Sequence, residues 1–307
     1  MVTNNLLKTD LNGYILKNPI LTASGTYGYA DEYEDFIDVS NLGGIVTKVI
    51  SLSPRDGNKH LRIAETEAGM INSIGLENIG IDRFINEKLP ILKEKNINFI
   101  VNVAGSSVEE YIEVAKKCEK NKIGAIELNV SCPNVKSGCL EFGTDEKSLY
   151  NLVSGVRNVY NGFLIIKLTP NVTSVEKLGT AVERAGANAI SAINTLKGTS
   201  IKITVQNGKF LKSIVQGGYS GIGIKPVALN VVRRLFSTVN IPIIGLGGIE
   251  KLEDVLEFFS VGAEAVQIGT ANFKHPDIAE RLIIELGEFM KNNGFKSLNE
   301  LKKELRS

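Results

Sequence analysis

The sequence has little of what builds metal centres or disulfide frameworks. Its 307 residues include three cysteines and two histidines, His60 and His275. So few histidines argue against a histidine-based metal site or a Ser-His-Asp triad, and three cysteines are too few for an iron–sulfur cluster. No metal is therefore expected on this chain. Three cysteines also make no disulfide framework, which is typical of a reducing compartment and predicts a cytoplasmic location.

Long apolar runs and an excess of charge of either sign are also missing. No run of about 18 apolar residues occurs, and the first residues do not resemble a signal peptide, so no membrane association is expected. The net charge is +1, from 35 basic and 34 acidic residues, and the basic residues form no cluster. No nucleic-acid partner is therefore predicted. Because no linker-like segment interrupts the chain, residues 1–307 are predicted to form one domain.

Short apolar, β-branched segments alternate with amphipathic helical patterns along the chain. Their near-continuous hydrophobicity indicates strands buried on both faces, as in a parallel sheet. The predicted strands are Ile20–Gly25, Gly43–Val49, Asn98–Val103, Ala125–Val130, Leu164–Leu168, Ala189–Asn194, Ile241–Leu246 and Ala265–Gly269. Eight β-then-α units predict an α/β fold of the (β/α)₈ TIM-barrel type, with an open doubly wound sheet as the alternative.

Helix and turn signals add detail to this pattern. Thr173-x-x-Glu176 predicts a capping box at the start of one helix. Residues 50–96 and 196–224 are longer than single crossovers need, and the second segment carries a hairpin signal at Asn207-Gly208. Long loops that follow barrel strands usually build or cover the active site.

Polar residues recur where the predicted strands end. A barrel gathers the C-terminal ends of its strands around one mouth, where barrel active sites are found. The residues at these positions are Lys48, Asn102, Asn129, Lys167, Asn194 and Thr195. Packing needs alone do not readily produce such a pattern over several strands, so a site is predicted at the mouth.

Glycines follow the last two predicted strands, as Gly247-Gly248 and Gly269-Thr270. Glycines let backbone N–H groups approach an anion, and the loops after strands seven and eight are the usual phosphate site of barrels. Two tight turns that need positive φ are the alternative explanation. Both pairs occur at the expected strands, which favours phosphate binding.

Two lysines and several asparagines suit a flavin and a planar substrate. A reduced flavin ring carries negative charge near N1 and O2, which Lys48 or Lys167 would stabilise, unless these side chains extend into solvent. Amides suit a ring with alternating carbonyl and N–H groups, although asparagine is also common in turns. The asparagines in question are Asn72, Asn129, Asn134 and Asn194.

One cysteine stands out by its position. Cys132 lies in AIELNVSCPN, just past a predicted strand and before a proline. A cysteine at a polar mouth can act as a nucleophile, a base or a redox group, whereas the other reading is a small buried apolar residue. We adopt that second reading for Cys118, on an apolar helix face, and assign no role to Cys139.

Three motifs together resemble dihydroorotate dehydrogenases. They are NxSCPN at residues 129–134, NSIGLxN at residues 72–78 and INT at residues 193–195. The likeness runs from NPILTASGTYGY to IGTANF and beyond, although NxSCPN alone is shared with other flavin enzymes that act on pyrimidines. Cys132 and the lack of an N-terminal extension resemble class 1 of the family. The segments ELNVSCPNVKSGCLEFGTD, KLTPNVT and INTLKG are closer to class 1B than to the fumarate-using class 1A.

The resemblance implies oxidation of (S)-dihydroorotate to orotate in pyrimidine biosynthesis, with FMN as cofactor. Cys132 would remove a proton from C5, while flavin N5 accepts hydride from C6. Substrate would be held by Lys48, Asn72, Ser73, Ile74, Gly75, Leu76, Asn129, Asn134, Asn194 and Thr195. FMN would contact Ser24, Lys48, Val49, Asn102, Asn129, Lys167, Ile193, Gly221, Gly247, Gly248, Gly269 and Thr270. Residues 133–143 would form a lid.

The resemblance also implies a partner. Class 1B members pair with a subunit that carries FAD and a [2Fe–2S] cluster, as two catalytic and two electron-transfer chains, and pass electrons to NAD⁺. Alternatives remain open: a class 1A enzyme, a tRNA dihydrouridine synthase, an enzyme that reduces free pyrimidines, or a phosphate-binding barrel without flavin.

Overall fold

Residues 6–33, 35–131 and 142–307, which the computed structural model describes, form fourteen strands and ten α-helices. The strands are β1 (Thr9–Leu11), β2 (Tyr14–Leu16), β3 (Ile20–Thr22), β4 (Gly44–Val46), β5 (Ile63–Thr66), β6 (Gly69–Asn72), β7 (Phe99–Val103), β8 (Ala125–Asn129), β9 (Phe163–Leu168), β10 (Ala189–Ala192), β11 (Leu196–Gln206), β12 (Lys209–Ser220), β13 (Ile243–Leu246) and β14 (Ala265–Ile268). The helices are α1 (Ile81–Arg83), α2 (Leu89–Glu94), α3 (Val108–Lys120), α4 (Glu146–Arg157), α5 (Val175–Arg184), α6 (Lys225–Phe236), α7 (Leu252–Ser260), α8 (Ala271–Lys274), α9 (Ile278–Asn292) and α10 (Leu298–Arg306).

Eight of the strands close into a parallel barrel. They pair in the order β3, β4, β7, β8, β9, β10, β13 and β14, and β14 pairs with β3 to complete the circle. The closing register places Val266 beside Ile20. All eight predicted strands are therefore present, the TIM barrel is confirmed, and the open sheet is excluded.

Helices cover the barrel with the faces that their apolar spacing predicts. In α3, Tyr111, Ala115 and Cys118 are buried, and the Ser107 hydroxyl caps the helix by accepting from the Glu110 N–H. Burial raises the pKa of the Cys118 thiol to about 12, which agrees with its reading as a small apolar residue.

The predicted capping box before α5 is wrong by one residue. Ser174 occupies the N-cap position, and no side chain caps the first turn. The Ser174 hydroxyl donates instead to Glu176, whose carboxylate also binds the Arg234 guanidinium of α6 at 2.6 Å. Arg234 lowers the pKa of Glu176 to about 2. The pairing with a neighbouring helix outcompetes the local cap, which sequence spacing does not reveal.

A short hairpin covers the N-terminal end of the barrel. β1 and β2 pair around Asn12 and Gly13, which have positive φ angles of 52° and 98°. Leu11 and Leu16 are fully buried against residues of the barrel strands, including Leu21. This end of the barrel is thereby sealed with apolar side chains.

A four-stranded antiparallel sheet lies outside the barrel, in the order β11, β12, β6 and β5. The predicted hairpin is confirmed: β11 and β12 are joined at Asn207 and Gly208, with φ angles of 50° and 72°. β12 pairs with β6 from Gly218 to Ser220, which joins the two long insertions into one layer. Sequence alone predicted the hairpin but not its pairing with residues 63–72.

None of the described helices combines the length and the apolar character that a membrane crossing demands.

Candidate active site

A cavity of about 290 Å³ lies at the C-terminal ends of the barrel strands. Its wall includes residues at or just after every barrel strand except β7, together with residues of the antiparallel sheet. Because the strands are parallel, their carboxyl ends converge on this side, while the β1–β2 hairpin closes the other. The predicted mouth is thus a concave, partly polar site.

Most of the residues predicted from sequence meet in this cavity. Those that line it are Ser24, Lys48, Val49, Asn72, Ile74, Gly75, Leu76, Asn129, Lys167, Ile193, Asn194, Thr195, Gly221, Gly247, Gly248, Gly269 and Thr270. Ser73 and Asn102 are not part of the lining. Ser73 bonds to the loop above it, through its N–H to the Arg62 carbonyl at 2.7 Å, and Asn102 is fully buried in the barrel. Cys132, Asn134 and most of the predicted lid lie outside the described residues.

The amides at the strand ends are fixed by each other. Asn194 Nδ2 donates to Asn129 Oδ1 at 3.1 Å, and the Ser131 N–H donates to the same oxygen at 3.3 Å. Tyr111 of α3 donates its hydroxyl proton to the Asn129 carbonyl at 2.7 Å. With Oδ1 engaged twice, Asn129 is left to meet a ligand through its Nδ2 donor.

Lys48 lies opposite a carboxylate that sequence reasoning missed. Its ammonium is 3.5 Å from Glu77 Oε1, and the other Glu77 oxygen binds Arg62. Hydrogen bonding from Arg62, and then the charge of Lys48, lower the pKa of the Glu77 carboxyl below its usual range. Glu77 lies within the NSIGLxN motif, at the variable position, so the motif itself carried no signal for it.

Glycines after β12 and β13 have positive φ angles, which residues with a side chain rarely adopt. Gly247 and Gly248 have φ angles of 126° and 75°, and Gly221 has 109°. A Cβ on Gly248 would lie 3.0 Å from the Gly221 carbonyl, so the two loops approach closely. Thr270 donates to the Ser220 hydroxyl at 2.8 Å. Ser220 also lines the cavity and was not predicted.

The Gly247-Gly248 loop is anchored from behind. The buried carboxylate of Asp254 accepts from the backbone N–H groups of Glu250 and Lys251 at 2.8 and 3.0 Å. Its other oxygen binds Lys225 at 2.6 Å. These contacts fix the backbone of the loop from behind, which is the kind of preorganisation that an anion site needs.

A cluster of buried polar side chains fills the middle of the barrel. Glu127 of β8 is fully buried and accepts from Asn102 of β7 at 2.7 Å, Ser191 of β10 at 2.7 Å and Gln267 of β14 at 2.8 Å. Lys167 of β9 places its ammonium 3.8 Å from Glu127 and also lines the cavity. Neither Glu127 nor Gln267 was predicted, although each is a lone polar residue in a buried strand, which is a usable signal.

The similarity of this chain to known proteins identifies its family. The family model for dihydroorotate dehydrogenase matches residues 6–290. The chain belongs to the dihydroorotate dehydrogenase family. Three relatives are each named dihydroorotate dehydrogenase B (NAD(+)), catalytic subunit. The relative from Parabacteroides distasonis is 47% identical over 96% of both chains, and that from Geotalea uraniireducens is 45% identical over 96% of both. The relative from Bacteroides fragilis is 44% identical over 96% of this chain and 97% of its own.

Membership of the dihydroorotate dehydrogenase family implies a flavin cofactor, and the residues present fit one. The cavity is lined by two lysines, Lys48 and Lys167, and by the glycine loops after β13 and β14. Lysine ammonium groups and the backbone N–H groups of glycine loops are donors that suit a phosphate and a ring edge that carries negative charge. The donor set therefore suits an anionic, planar group that carries a phosphate.

Proposed function

We propose that this chain is the catalytic subunit of an NAD⁺-linked dihydroorotate dehydrogenase, which oxidises (S)-dihydroorotate to orotate. The observation that carries the proposal is the convergence of seventeen site positions predicted from sequence on one cavity. Those positions come from separate segments of the chain, between Ser24 and Thr270, and only the barrel brings them together. The names and identities of the relatives support the same activity.

FMN would lie across the mouth, with its phosphate at the glycine loops. Gly221, Gly247, Gly248, Gly269 and Thr270 would hold the phosphate through backbone N–H groups and the threonine hydroxyl. Ser24, Val49 and Ile193 would line the ring, and Asn102 and Lys167 would bind its polar edge. When bound, FMN supplies the acceptor for a hydride.

Dihydroorotate would lie between the amides and the loop that follows β6. Asn72, Asn129, Asn134, Asn194 and Thr195 would hold its ring. Lys48 and the backbone of residues 73–76 would hold its carboxylate and the ring oxygen nearest to it. The preformed Asn129–Asn194 contact supports this arrangement because it fixes which amide atoms are available to a ligand.

Cys132 is proposed as the base. Its thiolate takes the proton from C5 as hydride leaves C6, so the C5=C6 bond of orotate forms and two electrons leave the substrate. In support, the residue before it, Ser131, lines the cavity and donates its hydroxyl to the Lys167 carbonyl at 3.1 Å. Residues 133–143 would exclude water during the reaction.

Electrons are proposed to reach NAD⁺ through a second subunit that carries FAD and a [2Fe–2S] cluster, in an assembly of two catalytic and two electron-transfer chains. The words "catalytic subunit" in the names of the relatives support a partner. The sequence has no G-x-G-x-x-G fingerprint after a strand for a dinucleotide, and three cysteines cannot hold a cluster. We further propose that residues 1–307 act as one FMN domain in the cytoplasm.

The test begins with the visible spectrum of the purified chain. Bound flavin should absorb near 450 nm, and dihydroorotate should bleach this band without any other protein. NAD⁺ should be reduced slowly by the isolated chain and rapidly once the partner subunit is added. Rapid NAD⁺ reduction by the chain alone would contradict the two-subunit proposal, and efficient fumarate reduction would place the enzyme in class 1A.

A further inference from the structure

The Glu127 carboxylate at the centre of the barrel does not line the cavity, but it lies close to a residue that does. Glu127 is fully buried and is absent from the cavity lining, whereas Lys167, 3.8 Å away, lines it. The distance is too long for a hydrogen bond and short enough for strong attraction in a buried site. The Lys167 ammonium is therefore attracted from behind while its protons stay available toward the mouth.

The hydrogen bonds around Glu127 are those of a charged acceptor. Asn102 donates an amide N–H to Oε1, and Gln267 donates an amide N–H to Oε2. Each carboxylate oxygen thus accepts from a side-chain NH₂ group. Such a group can only donate, unless the amide rotates to present its oxygen instead. Ser191 adds a hydroxyl donor to Oε2. Such a set fixes the carboxylate in place and suits its ionised form.

We infer that Glu127 is a positioning residue for the flavin. It holds the Lys167 ammonium at the edge of the ring and balances part of its positive charge, and in this way it lowers the reduction potential of bound FMN. This inference rests on the FMN site proposed above. Without Glu127, the full charge of Lys167 would favour the reduced, more negative ring, so the potential would rise.

The substitution Glu127→Gln removes the negative charge of the carboxylate but keeps the size and shape of the side chain. The new amide needs acceptors where Oε2 now lies, and two are at hand. The Ser191 hydroxyl can accept after rotation, and Gln267 has a buried Oε1 with no partner in the described part of the chain, which a turn of its amide would present. The variant should therefore fold and bind FMN, which makes it a test of charge.

The measurement is the midpoint potential of protein-bound FMN, by equilibrium titration against a reference dye. In Glu127→Gln, the affinity for reduced FMN relative to oxidised FMN should rise about tenfold, the order expected when a neighbouring charge is removed. For a two-electron couple this is a shift of about 30 mV to more positive potential. Ser191→Ala is the matched control, since it loses a hydrogen bond to Glu127 but no charge, and its potential should match the wild type.

A double variant separates this role from general disturbance of the barrel. If Glu127 acts through Lys167, its effect should largely disappear in a Lys167→Met background, as a double-mutant cycle would show. An unchanged potential in Glu127→Gln, or an equal shift with and without Lys167, would overturn the inference. A wild-type chain that binds no FMN would overturn the proposed function as well, whereas the other outcomes of these potential measurements leave the proposed function unaffected.

Discussion

The barrel centre and the β11–β12 hairpin reverse the usual placement of polar and apolar side chains. In the barrel, Glu127 and Gln267 are fully buried among apolar strands and are hydrogen-bonded to one another. In the hairpin, Ile203, Val205 and Phe210 are 62%, 64% and 79% exposed. A buried polar group costs stability unless it is paired, and an exposed apolar patch is unusual on a protein surface, so each is informative about function.

The hairpin residues are not scattered. Its register pairs Val205 with Phe210 and Ile201 with Ile214, so that these four share one face. Residues 196–220 carry four lysines and no acidic residue. An apolar face of this kind on an otherwise polar ribbon is typical of an interaction surface. The buried polar groups thus lie at the candidate site, whereas the exposed apolar face of the hairpin lies outside the barrel.

The largest effect should come from the mouth of the barrel. Cys132→Ala should keep FMN but slow flavin reduction by dihydroorotate by roughly 10²–10⁴-fold, the usual contribution of a general base. Stopped-flow absorbance near 450 nm measures this step. Cys118→Ala, on a buried helix face, is the control and should reduce flavin at nearly the wild-type rate. A wild-type rate in Cys132→Ala would remove the base assignment.

Replacing a lysine by alanine in the barrel and in the hairpin should have very different effects on FMN binding. Lys167→Ala should weaken FMN binding by about tenfold or more, because a buried charge-assisted contact is lost. Lys212→Ala, on the hairpin, should leave FMN binding unchanged. Lys48→Ala should weaken both FMN and orotate binding. Fluorescence titration of the apoprotein with FMN gives the dissociation constants, and equal small losses in all three variants would contradict the proposed roles of Lys167 and Lys48 in the site.

Substitution of Glu77 should have a smaller effect and should strengthen binding instead of weakening it. Its carboxylate competes for Lys48, so Glu77→Gln should tighten orotate binding by about threefold, a modest change because the pair is partly exposed. The lowered pKa keeps Glu77 ionised above its ordinary value of 4.5. The gain should therefore be constant at neutral pH and fade as the pH falls below 4.5, where the wild-type carboxyl also becomes neutral. Orotate that binds more weakly in the variant would contradict this view.

The smallest effect should come from the hairpin tip. Val205→Thr and Phe210→Ser should change the free energy of unfolding by less than about 0.5 kcal/mol, since neither side chain is packed. Flavin reduction by dihydroorotate should also stay at the wild-type rate in the isolated chain. Thermal melts and the same stopped-flow assay measure both. A variant with slower flavin reduction would show that the hairpin takes part in the chemistry, which would contradict the assignment of the reaction to the barrel mouth alone.

Sequence alone predicted the barrel and most of the cavity for the same reason: both depend on local patterns. Strands such as β8 are continuous apolar runs, and the residues at their ends fall at the mouth once the barrel closes. The β1–β2 hairpin was missed because its strands have three residues each, although Asn12-Gly13 carried the turn signal. A two-residue turn signal needs longer flanking strands to be recognised.

What sequence could not supply are contacts between distant strands. Glu127 meets Gln267, 140 residues further on, and nothing local to either residue indicates this pairing. The β5–β6 strands are equally hidden, because they are short, half-exposed and held by β12. Glu77 was missed because its partners, Lys48 and Arg62, lie 29 and 15 residues earlier in the chain, before β5.

The hairpin that covers the N-terminal end of the barrel has a kinetic consequence. Leu11 and Leu16 leave that end filled with apolar side chains, so in the described structure a ligand reaches the cavity from the opposite side. Dihydroorotate and orotate would then share one passage and, at the site proposed above, one set of amides. Orotate that accumulates should therefore act as a competitive inhibitor.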